Sequence, residues 1–210
     1  VWSSRVQVGR PVRSTPIFKS RVTYVTFNPT WTIPPTIFKE DVLPKVQADP
    51  EYLAKNRIRV LGAGGKELDV ASIDWNRPGN ILLREDAGPQ NPLGKAVIRF
   101  PNPHSIYLHD TPTKANFGRG QRAFSSGCIR VERPLELVEL LFNDAQKWNR
   151  EGIDAAIATG ETKDYGLAVP VPILLTYSTV GLASDGRVVF KQDIYDRDPA
   201  LIAALNRRGR

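Results

Sequence analysis

Methionine is absent from the 210 residues, cysteine occurs once and histidine twice. A single thiol, Cys128, excludes an internal disulfide and any multi-thiolate zinc site. Oxidising compartments stay open, because one thiol needs no partner. No run approaches the roughly 18 consecutive apolar residues of a helical membrane span. A chain that starts at Val1 and lacks methionine reads as a processed form or a fragment, in which an upstream signal or anchor would not be visible. What is present is ordinary. With 41% hydrophobic and 24% charged residues, a disordered or collagen-like chain is excluded.

The net charge of +7 is unevenly spread. Residues 1–35 hold five basic residues and no acidic one, and residues 92–210 hold sixteen against thirteen. Residues 36–91, with eight against nine, are electrically different from both flanks. A basic surface favours anionic partners without choosing among them. No interleaving of aromatic and basic residues marks a single-strand nucleic-acid binder, so no nucleic acid is expected as partner.

The pattern predicts strands at Arg5–Val8 and Arg21–Phe27, the latter rich in β-branched and aromatic residues. Thr36–Gln47 reads as a helix that Pro44 should kink or end, and Asp49-Pro50-Glu51 as the start of another. Further strands are expected at Lys95–Phe100, Ser105–His109, Val169–Val180 and Arg187–Phe190, with Ser184-Asp185-Gly186 as a hairpin turn. Residues 110–127 read as a loop. Pro134–Trp148 carries a helical apolar stripe, Glu151–Ala158 a shorter helix, and Asp198-Pro199 starts the last one. The expected fold is α+β, a mostly antiparallel β-sheet domain. It is formed by residues 1–35 and 92–210, with 36–91 as an inserted, mixed capping subdomain.

The chemistry concentrates around the scarce residues. His109 ends a strand candidate, and Cys128 closes Ser125-Ser126-Gly127-Cys128 nineteen residues later. A thiol attacks a carbonyl as thiolate, so a nucleophilic cysteine needs a base or cation nearby, and one loop separates this pair. Gly127 suits a tight turn whose backbone N–H groups are free to bind an oxyanion. Tyr107, two residues before His109 on a strand, shares its face and is placed to help that oxyanion. The competing reading is a buried apolar thiol and a satisfied core histidine. His104 lies five residues before His109, on the opposite face of a common strand, so no metal site is assigned. Arg130, beside the thiol in a cluster of basic residues, is a candidate carboxylate binder.

These residues carry a family resemblance. Tyr107-Leu-His-Asp-Thr-Pro112 followed by Arg122-Ala-Phe-Ser-Ser-Gly-Cys-Ile-Arg-Val131 resembles the active-site signature of the L,D-transpeptidases with a YkuD-type catalytic domain. Val8-Gly-Arg10, Asn28-Pro-Thr-Trp-Thr-Ile-Pro34 and Pro101-Asn-Pro-His104 resemble its longer YcbB-like branch. The histidine usual before the glycine is Ser126 here, so a role for that second histidine does not carry over.

The resemblance implies a periplasmic enzyme without cofactor, anchored to the inner membrane through a segment outside this chain. It implies that Cys128 attacks the bond between meso-diaminopimelate and D-Ala in a donor peptidoglycan stem. An acceptor stem then resolves the thioacyl-enzyme into a 3→3 cross-link. His109 is implied as the base, Tyr107 and Gly127 as its helpers, and carbapenem β-lactams as covalent inhibitors. Ser126, Arg130, Asn28, Trp31 and Asp110 are the implied substrate-side residues. Asp110 can orient His109 through its side chain, and a backbone carbonyl can do so equally. The alternatives are an L,D-carboxypeptidase and a non-catalytic cell-wall binding module.

Overall fold

The computed structural model describes residues 1–183 and 185–208. A seven-stranded sheet is its spine. Its strands are β1 (Val6–Gly9), β2 (Phe18–Phe27), β6 (Ala96–Arg99), β7 (Leu108–His109), β8 (Ala123–Ser125), β9 (Ile129–Val131) and β10 (Lys163–Leu175). They lie in the order β10-β2-β6-β7-β9-β1-β8. Only β7–β9 and β1–β8 run parallel; the other pairs are antiparallel. The fold is thus α+β on a mostly antiparallel sheet.

Alternation along β2 sends Val25 and Phe27 into the core, where α4 (Pro134–Phe142) and α5 (Arg150–Ala158) cover them through Val138, Phe142 and Ile153. Trp148 stacks on Phe142 at 4.5 Å between centroids and meets Tyr165 edge-on at 4.9 Å. The stripe to Trp148 is therefore real as packing but not as one helix. Asn143 takes the left-handed conformation (φ 49°) and caps α4 six residues early. Strand β10 starts at Lys163, not Val169, and stops at Leu175. It is an edge strand, so Pro170 and Pro172 interrupt no ladder on its outer side.

A second, separate core lies in residues 31–86. Strands β3 (Trp31–Thr32), β4 (Ile58–Leu61) and β5 (Leu82–Glu85) form a three-stranded sheet. It is covered by α1 (Pro35–Ile37), α2 (Leu43–Ala48) and α3 (Tyr52–Lys55). Ile33, Val46, Leu53, Val60 and Leu83 fill the space between. Pro44 does not end the helical run. One π-helical turn, Phe38–Val42, precedes it and places the proline in the first turn of α2, where its missing N–H costs nothing. Asp49 is not the cap of α3: Glu51 holds that position, and Asp49, three residues before Tyr52, makes a local turn in which its Oδ1 accepts from Glu51 N at 3.0 Å.

Near the C-terminus, β11 (Val180–Leu182) pairs with β12 (Val188–Phe190), and α6 (Asp198–Arg208) closes the chain. Ser184 of the expected hairpin turn lies outside the described residues. Expected strand Ser105–His109 is reduced to β7, because Ser105 has φ 55° and breaks the extended run. Two strands in and beyond the expected loop, β8 and β9, are only three residues each, too short for periodicity to mark them.

Candidate active site

The parallel pairing of β7 with β9 decides the site. Its register sets Leu108 beside Ile129 and His109 beside Arg130, which brings Tyr107 level with Cys128. Ile129 N donates to Tyr107 O at 3.1 Å. Side chains alternate in both strands, so Tyr107, His109, Cys128 and Arg130 share one face. They line one cavity of about 480 Å3, together with Trp31, Ser126 and Ser105. The Tyr107 and His109 rings meet nearly edge-on at 5.6 Å.

His109 is buried, and its Nδ1 donates to the Asp110 backbone carbonyl at 2.5 Å. That bond selects the tautomer with a free Nε2, the acceptor a general base needs. Burial, then the positive Arg130, push its pKa down to about 3. The imidazole is neutral at neutral pH.

Burial likewise pushes the Cys128 thiol up, against the Tyr107 backbone N–H and hydroxyl and the guanidinium groups of Arg99 and Arg130, all of which favour thiolate. Desolvation wins. The resting pair is a thiol and a neutral imidazole, not the preformed thiolate that a nucleophilic role suggests from sequence. The thiol itself points to the Ser105 carbonyl, Sγ to O 3.7 Å. Tyr107's hydroxyl, pushed up by burial and by Cys128, remains protonated, with the Trp31 indole beside it.

The turn before Cys128 is braced from below. Gly127 has φ 115°, and a Cβ there would meet Ile106 Cδ1 at 3.1 Å. Its carbonyl accepts from Thr15 Oγ1 at 2.8 Å. Its N–H, however, donates to Ser125 Oγ at 3.1 Å. The expectation of two free amides at Gly127 and Cys128 therefore reduces to one. Cys128 N–H has no hydrogen-bond partner among the described residues. Thr15 also accepts from Gly9 N at 2.9 Å, and Tyr195 Oη donates to Gly9 O at 2.7 Å, so the C-terminal segment braces the turn too.

The structure does not bring Asn28 or Asp110 into the cleft. Asn28 Nδ2 donates to Ile157 O at 2.9 Å and Glu161 O at 3.2 Å, tying β2 to α5 and the approach to β10. Asp110's buried carboxylate accepts from Lys95 N at 2.9 Å and Lys114 Nζ at 2.5 Å. It is the Asp110 backbone, not its side chain, that orients His109. Ser126 Oγ accepts from Arg13 Nη1 at 2.9 Å, and Arg13 also bonds Asp41, at 2.7 Å, and Glu40. Arg130 Nη1 donates to Gln7 Oε1 at 3.3 Å, Gln7 being fully buried and paired with it in register. Arg13 and Gln7 escaped the sequence reading because each reaches the site across more than a hundred residues of chain.

Comparison with known proteins identifies the family. The family model described as the YkuD L,D-transpeptidase catalytic domain matches residues 1–147. The chain belongs to that family. A Haemophilus influenzae protein, described as "Putative L,D-transpeptidase", is 36% identical over 210 residues. The alignment covers 98% of this chain and 42% of that relative, so the chain spans less than half the length of the curated relative it matches.

Proposed function

We propose that the chain carries a cysteine L,D-transpeptidase that joins peptidoglycan stems through a thioacyl-enzyme, forming 3→3 links between meso-diaminopimelate residues. One observation carries this reading: Tyr107, His109, Cys128 and Arg130 open from one face of the β7–β9 pair into a single cavity.

In the proposed reaction, Cys128 Sγ attacks the carbonyl carbon between meso-diaminopimelate and D-Ala as its proton passes to His109 Nε2. The thiol gives up its bond to the Ser105 carbonyl to do so. Cys128 N–H and the Tyr107 hydroxyl receive the developing oxyanion. The C–N bond then breaks, the His109 proton goes to the leaving amine, and D-Ala departs. The acceptor amine attacks the thioester, gives its proton back through His109, and the thiol is restored. Residues 36–91 act as a cap over this cleft, and Trp31 walls its entrance. Peptidoglycan stems lie outside the cytoplasmic membrane, so the proposed place of action is the periplasm. No helix among the described residues is long and apolar enough to cross a membrane.

The test is product analysis by mass spectrometry with purified disaccharide-tetrapeptide. Cross-linked dimer lacking one D-Ala is expected, with none from Cys128→Ala. Tripeptide alone would replace the reading with an L,D-carboxypeptidase. Salt-sensitive binding of cell wall that survives Cys128→Ala, with no turnover, would leave a binding module. A carbapenem adduct on Cys128 in the intact protein is the companion expectation.

A further inference from the structure

Arg99 ends β6, and no role for it follows from the motifs. Its neighbours give it one. Of the other cations near the site, Arg13 is paired with two carboxylates and Arg130, whose Nε is likewise enclosed without a partner, donates to Gln7, whereas the Arg99 side chain forms no ion pair and no hydrogen bond among the described residues. Its Nε is enclosed and lacks a partner. Its guanidinium stacks on the face of Tyr107, with Cζ 4.9 Å from the ring centroid. Stacking uses none of the guanidinium's five N–H donors. Enclosing donors without acceptors is costly, and in native structures such groups ordinarily have a partner.

The space in front of Arg99 is a cavity of about 320 Å3, which Tyr24, Asn102 and Tyr107 also line. It is not the catalytic cavity, but the two share Ser105, Ile106 and Tyr107 as a common wall. Ser105 is held at φ 55°, and its carbonyl takes the thiol hydrogen bond. Asn102 offers the cavity nothing. Its amide nitrogen donates to Phe100 O and Ile106 O, and its oxygen accepts from His104 N and Ile106 N. No carboxylate lines the cavity, so its charge is that of Arg99 alone.

We propose that this cavity is a carboxylate subsite, in which Arg99 binds the terminal carboxylate of the donor peptide while the preceding carbonyl meets Cys128. The proposal rests on the peptidoglycan reading above. In a stem ending in D-Ala, the terminal carboxylate is one residue beyond the scissile carbonyl, a reach of about 3.5 Å in extended chain. A planar, two-pronged carboxylate fits the guanidinium fork, and Tyr107 then touches both cavities: its ring supports Arg99 and its hydroxyl faces the thiol. Arg99 would act as a specificity-determining residue that selects free peptide ends over amidated or extended ones.

The experiment compares acylation of Cys128, followed by intact-protein mass spectrometry, with a tetrapeptide donor as free acid and as C-terminal carboxamide. Wild type is expected to prefer the acid by about 10- to 100-fold, the usual worth of a charged hydrogen-bonded pair. Arg99→Gln should bring the acid-to-amide ratio close to one, and Arg99→Lys should keep part of it. The ratio cancels any change in thiol reactivity or fraction folded. An unchanged ratio in Arg99→Gln, or a wild type that does not discriminate, overturns the proposal.

A second measurement does not depend on turnover. D-Alanine, but not D-alaninamide, should slow alkylation of Cys128 by iodoacetamide in wild type and not in Arg99→Gln. If protection holds while neither donor acylates the enzyme, the transpeptidase reading fails and the carboxylate subsite stands. If D-alanine gives no protection, the subsite fails.

Discussion

Cys128 and His109 enter the proposed reaction uncharged, and burial is the cause for both. Two consequences can be measured. His109, with its pKa pushed down to about 3, is already a competent base well below pH 6.5. Acylation by the donor peptide should therefore show no break near pH 6.5 and hold steady from about pH 8 to about pH 5. A fall centred at pH 6.5 would mean an imidazole far less enclosed. Alkylation by iodoacetamide, which reads thiolate alone, should instead keep rising beyond pH 9, because the thiol is raised from its ordinary value of 9.0. Removing the base has a size as well. His109→Ala should slow acylation by about 10²- to 10⁴-fold, while circular dichroism reports an intact fold.

At the scale of elements, Arg13 joins the π-helical turn Phe38–Val42 to the loop before Cys128. It follows β1, yet its Nη1 donates to both Asp41 of the π-helical turn and Ser126 Oγ, while its Nη2 donates to Glu40. Arg13→Ala should speed amide exchange in residues 36–48 by about 3- to 10-fold, the range of a modest ion-pair network. Exchange in β2 should not change. If residues 36–48 exchange at the wild-type rate, that segment is held without the Arg13 pairs.

Legibility at this scale was uneven for physical reasons. Tyr107 and His109 share a face by simple parity, and that much was readable along the chain. That Cys128 and Arg130 share the same face required β9 to pair parallel with β7, a long-range register that three residues of strand do not announce. Asn28 and Asp110 carry the right chemistry next to the right motifs, but backbone carbonyls claim the Asn28 amide, and the Lys95 backbone N–H and Lys114 claim the Asp110 carboxylate. Adjacency in a motif is not exposure in a cleft.

Across the whole molecule, two buried ionisable groups pull stability in opposite directions with pH. His109's folded pKa lies below its ordinary value of 6.5, so its contribution is complete above pH 6.5 and is lost as pH falls towards about 3. Glu85, buried in the three-stranded sheet, is pushed up to about 7 by that burial, with Arg57 opposing. Its contribution is complete below the ordinary 4.5 and is lost as pH rises through about 7. Thermal melting should show Glu85→Gln gaining on wild type as pH rises from 4.5 to 7, and His109→Gln gaining as pH falls below 6.5. A difference that does not change with pH would place that side chain in solvent, and the reverse order would mean that the fold favours its charged form.

By itself the sequence determined which atoms were available for chemistry: one sulfur, two imidazoles, and a Tyr-x-His and Ser-Gly-Cys spacing that presents them at a strand end and a tight turn. It also marked residues 36–91 as a nearly neutral block, because charge balance is a property of short stretches, although the second core takes in Trp31 and Ile33 from outside that block. Only the tertiary structure decided the protonation states, because desolvation depends on which distant segments close over a group. It alone aimed the Cys128 amide, gave Arg13 its three partners and left Arg99 facing an open cavity, since hydrogen bonds form between groups that folding, not chain order, makes neighbours.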